Sequence, residues 1–222
     1  FTDYPFYVGS VFVIDPVVTL ALLAGLAVAL VRGPPGLSWN RLGLTLACAY
    51  LAWGVAAQAQ VRELARASVA DAGIEASRIL VVPTPFNTVL WRVVAMTEGE
   101  DWYEGFHSLL DAPGAIHFTR HRTDPAARER HAGNWYLERL AWFSHGFYDV
   151  APTREGLRVR DLRMGQGDVY TFTFLLPEPE ADRPPIGSET AARTGETGAV
   201  IQQASRIDFR IAMRWLWQRL LG

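Results

Sequence analysis

VFVIDPVVTLALLAGLAVALV, residues 11–31, and LGLTLACAYLAWGVAAQAQV, residues 42–61, decide how the rest of the chain is read. A bilayer core of about 30 Å needs about 20 mostly apolar residues in a helix, and both runs are long enough. Between them lies RGPPGLSWNR, residues 32–41, where two adjacent prolines flanked by glycines end one helix and allow a tight reversal. The pattern predicts a transmembrane helical hairpin within residues 1–73.

Asp15-Pro16 marks the start of the first helix, since aspartate caps well and proline suits the first turn. A carboxylate near membrane depth is costly, so Asp15 must face protein, a cavity or a metal if it does more than cap. From Pro16 to Val31 a helix extends about 24 Å, short for a span, so residues 11–14 are expected to enter the bilayer too. The second run continues through VRELARASVADAG, which predicts one long helix over about residues 39–71, stopped at Gly73. Tyr4, Phe6 and Tyr7 suit a membrane interface. Arg32 and Arg41 are balanced by Arg62 and Arg66, which leaves the side of the membrane undetermined. Gly25, Gly43, Ala47 and Gly54 give the helices small faces that admit close neighbours.

From Arg78 onward the apolar period shortens. Segments such as RILVVP, TVLWRVVAMT, FYDVAP, LRVRD and VYTFTFLL are bounded by Pro, Asn, Gly and Asp, in the manner of strands and hairpins. Val89, Trp91, Val93 and Ala95 share one face of a strand, and Leu90, Arg92 and Val94 the other. Pro83 and Pro85 confine the first segment to a sheet edge or stand at its terminus. NWYLERLAWF reads as a helix capped by Asn134 and ended near Gly146. The expected fold is an α+β membrane protein. Its hairpin (residues 1–73) precedes a small, mostly antiparallel sheet of five or six strands with one packed helix (residues 74–178). Residues 179–203 are rich in Pro, Gly, Thr and Glu and read as a flexible linker. Residues 204–222 read as an amphipathic basic helix. Its arginines and its tryptophans, Trp215 and Trp217, suit the headgroup plane, with docking onto the domain as the alternative.

The 222 residues carry a net charge of −2, and all 21 basic residues are arginine. That balance provides no field to steer nucleic acid, so none is expected as a partner. Cys48 is the single cysteine, which excludes an intramolecular disulfide. No P-loop, GxGxxG, GxSxG or HExxH pattern occurs. His117 and His121 stand four apart, but Arg120 and Arg122 beside them oppose a cation, and a polar loop is expected there. The tightest polar constellation is Arg92, Glu104, His107, Asp161 and Arg163, expected on adjacent strands of one sheet. Asp161 is expected to be buried and paired with Arg92 or Arg163, an ion pair that pins strand register.

PTPFNTVLWRVV (residues 83–94), YEGFHSLLD (103–111), FSHGFYDV (143–150) and VRDLRMGQGDVYTFTF (159–174) carry a resemblance, together with FVIDP at the first apolar run. Over residues 1–178 the chain resembles the C-terminal part of bacterial inner-membrane proteins described as membrane-bound metal-dependent hydrolases. The resemblance implies a multi-pass protein of the bacterial inner membrane and a divalent metal that polarises the scissile group and activates water. In that reading Asp15 and Asp3 are the candidate ligands, and Arg92, His107 and Arg163 the catalytic, substrate-side groups. The HRGxTHS-type segment that carries the family's hydrolase label is absent, and the chain is expected to begin partway into a longer protein. The competing expectation is a non-catalytic, membrane-anchored interaction module, or a subunit of a larger membrane complex, with the bilayer and other helices as partners. What separates the two is whether Arg92, His107 and Asp161 converge with a membrane-proximal carboxylate in one cleft.

Overall fold

The structure, a computed structural model, describes residues 9–99, 101–167, 169–177, 201–202 and 209–221. Asp3, Tyr4, Phe6, Tyr7 and nearly all of the expected linker lie outside them.

Asp15 caps α1 (Pro16–Arg32) as its sequence predicts, its Oδ1 accepting from the backbone N–H groups of Val17 (2.9 Å) and Val18 (3.4 Å). Gly33, at φ 61°, ends the helix, and a 3-10 turn (Pro34–Gly36) leads into α2 (Leu37–Asp71). α2 closes on Gly73, at φ 65°, whose N–H reaches Ala70 O while Ile74 N–H reaches Val69 O. This paired bonding satisfies carbonyls that a helix end otherwise leaves open. With its leading turn, α2 is long and apolar enough to cross a membrane; α1, at 17 residues, is shorter.

The two helices touch backbone to backbone. A Cβ on Gly43 would stand 2.5 Å from Ala21 O, and one on Gly36 2.5 Å from Val28 O. Along α2 the environment then changes. Large apolar side chains stand exposed from Leu37 to Val55, whereas from Ala57 the inward residues Val61, Ala65 and Val69 are buried.

That buried half packs on the first of two antiparallel sheets. β1 (Ala76–Pro83), β2 (Leu90–Thr97), β3 (Trp102–Ser108) and β4 (Phe118–His121) lie in that order, with β1 at an edge as its prolines require. One face puts Val81, Trp91 and Val93 against Ala57, Val61 and Ala65 of α2. The other puts Leu80, Val82, Val94, Met96 and Trp102 against Phe147, Leu162 and Tyr170. The alternation read from β2 therefore holds. Gln58, buried among these residues, donates to Val81 O at 2.9 Å and ties α2 to the sheet.

Next come α3 (Pro125–Arg130) and α4 (Trp135–Phe143), then β5 (Tyr148–Thr153) and β6 (Gly156–Asp161). A short ribbon of β7 (Gly165–Gln166) and β8 (Val169–Tyr170) precedes β9 (Thr173–Leu176) and β10 (Ile201–Gln202). The second sheet runs β10-β9-β6-β5. Two four-stranded sheets thus replace the single sheet expected, and two helices replace one. The extra helix has a local cause: Asp124-Pro125 repeats the Asp15-Pro16 signal, with Asp124 Oδ1 accepting from Ala126 and Ala127 N–H groups, and starts a helix where a polar loop was expected. Asn134 caps α4 as predicted. Ala127 and Leu137 from these helices pack on Tyr148, Val150, Leu157 and Val159.

The final helix, α5 (Phe209–Leu221), docks on β3. Arg219 grips Asp111 through two bonds of 2.9 Å and donates to Phe106 O at 2.8 Å, while Trp215 meets the Phe106 ring edge-on at 4.9 Å. The structure thus takes the docked alternative over the headgroup-plane reading. An acceptor 108 residues away along the chain fixes the basic side chain.

Candidate functional site

Arg92 lies on β2 with its side chain toward the second sheet, 1% exposed. A buried guanidinium needs every donor met. Its Nε donates to Glu104 Oε1 at 2.5 Å, one Nη to Leu162 O, and the other to the Tyr170 hydroxyl at 3.1 Å. Glu104 and Arg92 sit diagonally on β3 and β2, facing the same way, because Glu104 is paired with Val94. A second pair lies beside them, partly exposed Arg160 donating through Nε to buried Asp149 Oδ2 at 3.0 Å. The Arg160 guanidinium rests 4.9 Å from the Tyr170 ring centre. Burial pushes the Tyr170 hydroxyl up to about 12, against the pull of Arg92 and Arg160, so it stays protonated and can bond.

His121 completes this cluster. Its ring stacks flat on Trp102, 3.8 Å between centres and 7° between planes, with Nε2 3.9 Å from Glu104 Oε2. Burial lowers its pKa first, and Glu104 opposes that shift. The histidine expected in a solvated loop is thus a β4 residue closing a core tryptophan. Arg92, Glu104, Asp149 and Tyr170 are buried between the sheets, while Arg160 and His121 are partly exposed at the margin, so the arrangement clamps the sheets together.

The other expected groups lie elsewhere. His107 pairs across strands with Trp91 and so faces the α2 side, opposite to Arg92. Its Nδ1 is 3.5 Å from Asp111 Oδ2; burial pushes its pKa down, and Asp111 pulls it up. Arg163 holds the buried Asp161 at 3.0 Å (Nε–Oδ1) and 2.6 Å (Nη2–Oδ2), and its guanidinium stands 4.7 Å over the Phe143 ring. Asp161 takes Arg163 as its partner, as one of the two expected options, and this pair sits at the end of β6 in the second sheet. The expectation that all these residues share one sheet is corrected. Arg92, His107 and Arg163 occupy three separate environments.

Asp15 is 4% exposed, and both its oxygens are engaged. Oδ1 holds the helix cap, while Oδ2 accepts from the Tyr50 hydroxyl at 2.9 Å, which in turn accepts from Thr88 Oγ at 3.1 Å. Thr88 belongs to the loop between β1 and β2, so this relay joins α1, α2 and the first sheet. Phe12 and Phe86 meet edge-on at 5.5 Å across the same junction. Among the described residues no three His, Cys, Asp or Glu side chains gather as a metal would require. Asp15 in this bonding does not fit the ligand role, and Asp3 lies outside the described residues.

Tyr50 and Thr88 are the participants that the sequence did not announce. A tyrosine inside an apolar helical run is itself a signal, because a buried phenol seeks a partner. Asp149 and Arg160 stand opposite each other in the β5–β6 hairpin, whereas Asp111 and Arg219 pair across 108 residues that no spacing rule connects. Comparison of the chain with protein-family models, with curated proteins and with solved structures finds no match.

Proposed function

We propose that this chain is a membrane-anchored interaction module, in which α2, accompanied by α1, sits in the bilayer and holds the α+β domain against its surface. The carrying observation is the switch along one continuous helix. Apolar side chains face outward from Leu37 to Val55, and beyond Ala57 the same helix becomes part of the domain core. Residues 37–55 span about 28 Å, which matches a hydrocarbon core. Asp15, Tyr50 and Thr88 then lie at the domain end of that slab, where a carboxylate costs less than at its centre. The backbone contacts at Gly36 and Gly43 suit a helix pair packed without a hydrophobic driving force. Such a pair can also join further helices in a larger assembly.

The metal-dependent hydrolase implied by the resemblance is not the reading carried forward. Its expected substrate-side groups are dispersed, and Asp15 is occupied by the cap and Tyr50. The test is extraction of the full chain from membranes of an expressing bacterium. Retention through high salt and alkaline carbonate, with release by detergent, is the expected result. Release by carbonate would contradict the anchor.

A further inference from the structure

A cavity of about 510 Å³ opens where the far end of the first sheet meets α3, α4 and the start of β5. Its size is that of small-molecule sites. Arg78, Arg128, Glu98, Trp142, His145 and Tyr148 are among its walls. Tyr148 is the residue that ordinary folding does not explain. It is 8% exposed, and its hydroxyl has no hydrogen-bond partner among the described residues. A buried phenol without a partner costs free energy that phenylalanine would avoid.

Two cations surround that hydroxyl. Arg128 rests its guanidinium 5.6 Å from the Tyr148 ring centre, and both Arg128 and Arg78 pull the hydroxyl's pKa downward, though burial outweighs them. Arg78 has no hydrogen bond or ion pair with any described residue, and its guanidinium lies over Gly146, where an added Cβ would come within 2.7 Å of Nη1. The end of α4 there favours a cation, which accounts for Arg78 alone but not for Tyr148. A third guanidinium, Arg139, stacks on Trp142 at 4.2 Å. The acid at the rim, Glu98, is exposed, and no ion pair joins it to Arg78.

We propose that this cavity binds an oxyanion carried on a small molecule, a phosphate monoester or a carboxylate. Arg78 supplies the charge, and Tyr148 donates the hydrogen bond that its hydroxyl lacks among the described residues. Guanidinium groups match both oxyanions in geometry. An adjoining cavity of about 540 Å³ shares Arg128 and Tyr148 and gives room for the remainder of the ligand. The site is at the end of the sheet away from the Thr88 loop, and the proposal stands independently of the bilayer reading.

The test uses the full chain in detergent, titrated with phenyl phosphate and separately with phenylacetate, and followed by calorimetry and tryptophan fluorescence. Saturable binding of either probe is expected, weakening as salt rises; the probe that binds identifies which oxyanion the site takes. Arg78→Gln and Tyr148→Phe should each weaken it about tenfold, the loss of one hydrogen bond to a charged group. Tyr148→Phe removes only an unpartnered hydroxyl, so it folds as the parent does and carries the test if Arg78→Gln does not. Failure of both probes to bind, or undiminished binding by folded Tyr148→Phe and Arg78→Gln, would overturn the proposal.

Discussion

The helix pair and the α+β domain are built on opposite plans. In the pair the contacts between elements are glycines and alanines, with backbones touching at Gly36 and Gly43, and the leucines, valines and tryptophans stand outside. In the domain, Trp91, Trp102, Leu157 and Leu176 fill the interior, and charges are either on the surface or paired inside, as Arg92 is with Glu104. Each region places apolar surface where its surroundings accept it. The proposed anchor accounts for this contrast by placing lipid around one region and water around the other.

The largest effect should come from breaking the domain's interior charge pair. Arg92→Ala leaves Glu104 buried without its partner, and a cost of about 3–5 kcal/mol is expected, read as a drop in denaturant midpoint. The double change Arg92→Met with Glu104→Leu should recover most of that loss, because apolar replacement of both partners removes the unpaired charge. A double variant as unstable as the single one would mean that the clamp to Leu162 and Tyr170 matters more than charge.

In the helix pair the sensitive feature is close approach. Gly43→Val puts a side chain where Ala21 O stands 2.5 Å from the Cβ position, and a loss of about 1–3 kcal/mol is expected, seen as a lower melting temperature in detergent. A neutral result would show that α1 and α2 are not held together as described. Tyr50→Phe cuts the hydrogen-bonded relay that runs from Asp15 to Thr88. About 1 kcal/mol is expected, with faster amide exchange in the Thr88 loop and none in the second sheet.

The smallest effect is one of pH. Burial holds His107 and His121 below the ordinary 6.5, so under that pH the unfolded chain takes up protons that the native state resists. Stability should therefore decline as pH falls from about 6.5 toward the lowered values. His121→Phe, which keeps the stack on Trp102, should flatten that decline. A decline of unchanged steepness would assign it to other groups.

How much of this was legible follows from how local each signal is. Asp15-Pro16, Asn134 and Gly73 act within a turn of their own positions, and all three mark helix ends as read. The faces of β2 were legible because alternation needs only the strand itself. Asp124-Pro125 shows the limit of reading by surroundings, since the arginines and histidines around it have the composition of a loop while the cap acts within one turn. The division into two sheets, and the scattering of Arg92, His107 and Arg163, depend on which strands pair, and pairing partners are not written beside each residue. Nor does any spacing tell that Arg219 would reach Asp111.

The central claim is that the first half of α2 lies in lipid, and Cys48 offers a direct probe. It is the chain's only cysteine, is exposed, and stands midway along the apolar half of α2. A nitroxide attached there, with the full chain in liposomes, should be relaxed strongly by oxygen and weakly by a water-soluble nickel complex. The same label on Arg66→Cys in a Cys48→Ser chain should show the reverse. Strong relaxation of the Cys48 label by the nickel complex, equal to that at position 66, would contradict the account.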